Sequence, residues 1–185
     1  MQNNITVTKK ISELYEVRQA NGSCGKWADF NLVCGAESVR ISINSDYGNY
    51  AYVWGSCGCN PKEFLTDIDF YYAMKNLSNY NLYVDNVNGF THHYKRDLIQ
   101  LVHDGVLTFN RAKEIYFELK EFTGSTNREI QDQLFESDLA KEIGYNDPSC
   151  IPNPRMIDPI LVMFWDNCWI PFVEQLKTEL SQKTI

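Results

Sequence analysis

The sequence predicts an α+β fold in which an N-terminal antiparallel sheet is followed by a C-terminal helical layer. Apolar and polar residues alternate in short runs over residues 1–59, which is the period of half-buried strands. From residue 60 onwards, apolar residues recur every three or four positions, which is the period of amphipathic helices. Strands and helices are therefore segregated along the chain, as in α+β proteins. Because 185 residues are enough for one hydrophobic core, we expect a single domain over residues 1–185.

The strands are predicted from alternation and turn residues. Val39–Ile43 and Asn49–Trp54 alternate most clearly, and the intervening Ser45–Gly48 supplies an aspartate and a glycine suited to a hairpin turn. Three earlier strands are predicted, at about Ile5–Ile11, Leu14–Gln19 and Phe30–Cys34, with turns at residues 21–23 and at Gly35. The order in which these strands pair is left open.

The helices are predicted from capping residues and periodicity. Asn60 is a capping residue, Pro61 occupies the first helical position, and Glu63 can complete a capping box for a helix that extends to Leu77. A short extended stretch is expected near Leu82–Val87. Three further helices are each expected to be stopped by a glycine, and they are Tyr94–Asp104 (Gly105), Phe109–Phe122 (Gly124) and Asn127–Ile143 (Gly144). A last helix is capped by Asp158 and is expected to be kinked or divided at Pro171 before Phe172–Ser181.

Charge and hydropathy restrict the partners. The chain has 17 basic and 24 acidic residues and a formal net charge of −7, which argues against direct binding to nucleic acid. The first twenty residues carry charges throughout, unlike a secretory signal, so we expect a cytoplasmic protein. The longest apolar stretch, residues 157–173, is interrupted by aspartates and prolines, so no membrane association is expected.

The acidic excess lies in the last third of the chain. Residues 126–185 contain five basic and ten acidic side chains. Glu129, Asp132 and Glu136 are spaced to share one helix face. This face is either an ordinary solvated surface or a contact for a basic protein partner.

An aromatic hairpin is the most distinctive local feature. Tyr50, Tyr52 and Trp54 would lie on one face of the second hairpin strand. Packing of these rings against the following helix, through Phe64, Leu65 and Ile68, is the favoured interpretation. In the alternative, the rings are exposed and contact a partner or a nucleotide, which makes Tyr47 and Trp54 candidate binding residues.

The segment Ser45–Gly58, followed by Phe64-Leu65 and Asp69–Tyr72, resembles a group of uncharacterised small accessory proteins encoded by bacteriophages and prophages. The resemblance implies a phage accessory protein. Together with the acidic last third of the chain and the lack of a catalytic motif, it favours a protein that binds a host or phage protein. Its most concrete form would be an inhibitor of a host defence system, such as an anti-CRISPR. The resemblance implies no catalytic residues.

Two alternatives remain open at this point. The chain has six cysteines, namely Cys24, Cys34, Cys57, Cys59, Cys150 and Cys168. A cytoplasmic protein keeps them as thiols, and the spacing of Cys57 and Cys59 is tighter than that of zinc sites, so neither metal nor cofactor is expected. A small thiol- or metal-dependent hydrolase would use Cys57 or Cys59 with a histidine among His92, His93 and His103. The other alternative is a self-associating structural protein, a homodimer formed through edge strands.

Overall fold

The α+β fold with an N-terminal antiparallel sheet is confirmed by a computed structural model, which describes residues 6–19 and 26–182. The strands are β1 (Glu13–Val17), β2 (Ala28–Cys34), β3 (Val39–Ser45), β4 (Gly48–Trp54), β5 (Tyr83–Asp85) and β6 (Arg155–Ile157). The helices are α1 (Pro61–Asp67), α2 (Phe70–Leu77), α3 (Gly89–His103), α4 (Phe109–Lys120), α5 (Asn127–Glu136), α6 (Leu139–Glu142), α7 (Pro159–Phe164) and α8 (Ile170–Gln182).

The chain is divided into two compact units. Unit 1 takes the chain up to Leu82 and again from Asp158, and unit 2 takes Tyr83–Ile157. Each unit has a hydrophobic core of its own. The expectation of a single domain over residues 1–185 concerns cooperative folding and stays a prediction.

The sheet of unit 1 is an antiparallel meander with the order β1-β2-β3-β4. The predicted hairpin between β3 and β4 is present, and Gly48 has a φ of 120° there, a conformation that glycine adopts without steric cost. One face of the sheet is buried, with Phe30, Ile41 and Trp54 in the core, while the intervening residues of β3 face solvent. The alternation in the sequence therefore corresponds to an inner and an outer face.

The inner face is covered mainly by the C-terminal helices. Phe30 stacks on Phe172 of α8 with ring centroids 4.2 Å apart. Tyr50 lies against Phe164 of α7, with centroids 4.9 Å apart. Between α7 and α8, Trp165–Trp169 form one π-helical turn. Pro171 is the second residue of α8, so the predicted interruption precedes the proline, which cannot donate a backbone hydrogen bond.

A buried charged group links β1 to the helices of unit 1. Lys62 in α1 is 8% exposed. Its Nζ lies 2.6 Å from Glu13 Oε2, 2.6 Å from the Tyr15 hydroxyl and 2.9 Å from Glu179 Oε2 of α8. These hydrogen bonds raise the pKa of Lys62 although burial alone would lower it. The lysine therefore stays charged inside a polar cluster.

Unit 2 is helical apart from one pair of short strands. β5 pairs with β6, placing Tyr83 opposite Ile157. This pair confirms the extended stretch expected near Leu82–Val87. Residues of α3, α4, α5 and α6 form the core, among them Tyr94, Ile115 and Leu134.

Several predicted boundaries are wrong. Residues 6–11, predicted as strand, have no regular structure, and Val7 and Ile11 are exposed because no strand among the described residues pairs with them. Asp69 divides the predicted helix from Asn60 to Leu77, because its side chain accepts a hydrogen bond from the Tyr72 N–H at 2.8 Å and caps a new helix. Ile5, the turn at residues 21–23 and Cys24 lie outside the described residues.

The helix predicted over Asn127–Ile143 is also divided. Ser137 adopts an extended conformation, and its hydroxyl donates to the Leu134 carbonyl at 2.6 Å, which competes with helix continuation. Helix α3 begins at Gly89, five residues before its predicted start. Of the three glycines expected to end helices, Gly105 and Gly144 have positive φ and Gly124 does not.

No helix among residues 6–19 and 26–182 combines the length and apolar character needed to cross a bilayer.

Candidate protein-interaction surface

Helices α3 and α4 pack together as a helical hairpin. One stripe of each helix faces the core of unit 2, with Tyr94 and Leu98 from α3 and Ile115 and Leu119 from α4. Thr108 caps α4 by accepting a hydrogen bond from the Arg111 N–H at 3.2 Å. The hairpin is therefore held by its core face and by local capping.

A second apolar stripe on both helices remains uncovered in unit 2. Ile99 is 60% exposed, Phe109 72% and Phe117 54%. The two stripes enclose a groove of about 460 Å³. We call this the α3–α4 groove, and it is lined by Lys95, Leu98, Ile99, Val102, Phe109, Ala112, Lys113, Tyr116 and Phe117. Exposed apolar side chains grouped in this way are typical of binding surfaces.

The charges beside the groove are basic. Lys95 and Lys113 line it, and in the described part of the chain neither ammonium group makes an ion pair or a hydrogen bond. At one end, Lys120 lies over the Tyr116 ring, 5.2 Å from its centroid. None of the described residues that line the groove is acidic.

The acidic residues of α4 are held elsewhere. Arg111 donates to both carboxylate oxygens of Glu142, at 3.0 and 2.7 Å, and also approaches Glu114 and Glu118. These hydrogen bonds lower the pKa of Glu142. The groove is therefore a local basic and apolar surface on a chain whose net charge is −7.

The packing of the aromatic hairpin against the following helix is confirmed for Trp54 but is wrong for Tyr50, which lies against Phe164 of α7. Trp54 is 4% exposed and meets the Phe64 ring edge-on, with centroids 5.7 Å apart. Tyr47 is partly buried against the core, and burial raises its pKa. A role of Tyr47 or Trp54 in partner binding stays a prediction. For Trp54 that role would be indirect, because a partner cannot reach the ring without opening the core.

On the acidic face of α5, Glu129 stabilises the start of the helix. The Glu129 carboxylate accepts hydrogen bonds from the Ser125 N–H at 2.7 Å and from the Ser125 hydroxyl, which lowers its pKa. Asp132 lies 3.7 Å from Arg128, and Glu136 is exposed. Reversing the charge of Glu129 would therefore disturb the start of α5, whereas Asp132 and Glu136 can be changed on the surface.

The thiols and imidazoles fall in different units. Cys57 and Cys59 belong to unit 1, and the three histidines belong to unit 2. Burial raises the pKa of the Cys57 thiol, which opposes formation of a thiolate nucleophile. Among residues 6–19 and 26–182, no three His, Cys, Asp or Glu side chains are grouped as a metal site would require. The hydrolase alternative stays a prediction.

Sequence reasoning missed the α3–α4 groove. The only signal was that Ile99, Phe109 and Phe117 lie beside the core stripes of their helices, which gives each helix more apolar positions than one packed face needs.

The described structure defines an α+β protein built from a four-stranded meander unit and a helical unit. A family model described as a phage family matches residues 5–176. The chain belongs to this phage family. Neither a curated protein nor a solved structure matches it.

Proposed function

We propose that this phage protein acts by binding another protein, and that the α3–α4 groove is its docking surface. The observation that carries the proposal is the exposure of three large apolar side chains, Ile99, Phe109 and Phe117, along one groove. Large apolar side chains in a concave surface become binding hot spots when a partner removes them from water. The helical hairpin beneath them is anchored by its core face, so the groove is available without rearrangement.

The most concrete form of this function is inhibition of a host defence system, as an anti-CRISPR does. Membership of a phage family supports this form, since such a protein would act inside the infected host. The partner in this form is a host protein that is bound and blocked.

Substitutions in the groove test the binding function. Ile99→Asp/Phe117→Asp places two carboxylates on exposed positions, so the melting temperature is expected to stay close to that of the parent. Val53→Asp is the matched control, since Val53 is 51% exposed on unit 1. Proteins recovered from lysate of phage-infected host cells with the parent chain would be purified and their binding reconstituted. We expect the groove variant to weaken that binding at least about thirtyfold, as the loss of hot-spot residues does.

Equal binding by parent, groove variant and control would contradict the proposal. The inhibitor form is tested separately by plasmid transformation of a host with an active CRISPR system. We expect the parent chain and the Val53→Asp control to restore transformation and the groove variant not to restore it. If the parent chain leaves CRISPR interference unchanged, the anti-CRISPR form of the proposal is wrong. The protein-binding function is then tested by the reconstituted complex alone.

A further inference from the structure

We infer that the α3–α4 groove takes an acidic amphipathic helix of the partner, with apolar side chains in the groove and carboxylates beside its two free lysines. This inference rests on the proposed function, because it specifies what the groove binds.

The dimensions of the groove fit a short helix. The lining residues of α4 run from Phe109 to Phe117, which corresponds to roughly 12 Å at 1.5 Å per residue. The groove therefore matches about two turns of a partner helix. The lining side chains recur along α3 and α4 at three- and four-residue spacing, from Lys95 to Val102 and from Phe109 to Phe117. A helix with apolar anchors at positions i, i+3, i+4 and i+7 can place them between these rows.

The lysines of the groove determine which side chains a partner helix should carry beside its apolar anchors. Lys95 comes from α3 and Lys113 from α4, so each helix contributes one ammonium group to the groove. Neither lysine is paired within the described ranges, whereas Arg111, on α4 as well, is engaged with three glutamates. A partner with carboxylates flanking its apolar stripe supplies the missing counter-charges and is attracted over long range. A basic helix would be repelled.

The same charges argue against two other occupants. If the groove paired with its counterpart on a second copy, one interface would enclose four lysines and no carboxylate from the described lining residues, and such an excess of like charge is unfavourable. An anionic membrane would also attract the lysines. The groove, however, is a channel between two helices, which fits a cylinder of side chains better than a lipid surface does.

A peptide selection tests the inference directly. The probe is a displayed library of helix-constrained 16-residue peptides with apolar residues fixed at i, i+3, i+4 and i+7 and flanking positions drawn from Glu, Gln and Lys. Selection uses the full chain, with counter-selection on Ile99→Asp/Phe117→Asp. We expect the enriched peptides to carry Glu at the flanks. Their affinity is expected to fall with increasing salt, since screening weakens exposed charge pairs.

A charge reversal completes the test. Lys95→Glu/Lys113→Glu is expected to weaken the Glu-flanked peptides roughly threefold to thirtyfold, the effect of two exposed ion pairs. The same variant is expected to strengthen the Lys-flanked versions. Lys141→Glu, an exposed lysine on α6 of the same unit, is the control and should leave both affinities unchanged.

The outcomes separate the two proposals. Peptides that need the groove but show no preference for Glu would overturn the acidic-helix inference and leave the proposed function standing. A selection without any groove-dependent peptide would overturn the acidic-helix inference, whereas the proposed function is judged by the reconstituted complex. Two further results would also overturn the inference, namely groove-dependent binding to phosphatidylglycerol vesicles without peptide enrichment, and a dimer in sedimentation equilibrium that Phe117→Asp abolishes.

Discussion

Replacing Lys62 by methionine removes the ammonium group from the polar cluster of unit 1 while keeping most of the aliphatic stem. The parent lysine donates to Glu13, Tyr15 and Glu179. In the variant, the two carboxylates keep their charge and lose the cation that compensates it. We therefore expect Lys62→Met to destabilise unit 1.

The expected loss follows from the burial of each partner. Removing one member of a fully buried ion pair costs about 3–5 kcal/mol. The Lys62 side chain is 10% exposed, but Glu13 is 50% exposed and regains water when the lysine is lost. Glu179, 27% exposed, regains less. Because water screens the exposed Glu13 carboxylate, its pair with Lys62 contributes less than a buried pair does. We therefore expect a decrease of about 2–4 kcal/mol in the free energy of unfolding at pH 7.

Urea unfolding followed by tryptophan fluorescence measures this loss, because all four tryptophans lie in unit 1. The control is Lys177→Met, which removes an exposed lysine paired with Glu174 at 2.8 Å. This control should change the free energy of unfolding by no more than about 0.5 kcal/mol. An equal stability of Lys62→Met and the control would refute the reasoning.

The pH dependence gives a second check on the same cluster. The hydrogen bond from Lys62 lowers the pKa of Glu13, and for Glu179 the hydrogen bonds from Lys62 and Tyr15 outweigh the opposing effect of burial. A glutamate whose pKa is lower in the folded state stabilises that state fully when the pH is above its unfolded pKa of about 4.3. This stabilisation is lost as the pH falls through the pKa of the folded state. We expect the gap between parent and Lys62→Met to narrow as the pH falls below about 4.3. A gap that stays constant from pH 7 to pH 3 would contradict this.

Four further predictions follow from the described structure. Trp54→Ala should lower the free energy of unfolding by roughly 3–5 kcal/mol in the same urea assay, because it empties a core position. A urea unfolding curve like that of the parent would contradict the burial of Trp54 in the core. Elemental analysis should find no stoichiometric zinc; one zinc per chain, lost with folding in Cys57→Ser or Cys59→Ser, would refute this. If a basic partner binds the acidic face of α5, the Asp132→Lys/Glu136→Lys variant should associate with that partner more slowly than the parent at low salt. An unchanged association rate in surface plasmon resonance would show that this face is not part of the interface. Finally, a single cooperative domain predicts coincident unfolding curves by tryptophan fluorescence and by circular dichroism at 222 nm, and separated midpoints would show two domains.

The local parts of the fold could be predicted because their causes are local. The β3–β4 hairpin follows from alternation and Gly48, and the caps at Asn60 and Asp158 follow from single side chains that accept nearby N–H groups. The divided helices escaped prediction because Asp69 and Ser137 are also tolerated inside helices, and periodicity continues across them.

The long-range parts could not be predicted from one sequence. Phe30 and Phe172 stack although 141 residues separate them. No local pattern specifies which helix covers which sheet. The same limit applies to the α3–α4 groove, because Phe109 and Phe117 have the spacing of core residues and only the fold shows that their stripe is uncovered. Lys62 has the sequence context of an exposed lysine after a helix cap, and its burial depends on β1 and α8.

The chain leaves unit 1 and returns to it at one place. The Asp158 N–H donates to the Leu82 carbonyl at 3.0 Å, and directly beyond this bond Tyr83 pairs with Ile157. Residues 83–157 therefore form an insertion into unit 1 whose two ends lie side by side, the arrangement in which an inserted segment is tolerated. The α3–α4 groove lies wholly inside this insertion. The groove can therefore change in sequence without altering the meander sheet, and we expect sequence divergence within the family to concentrate between residues 83 and 157.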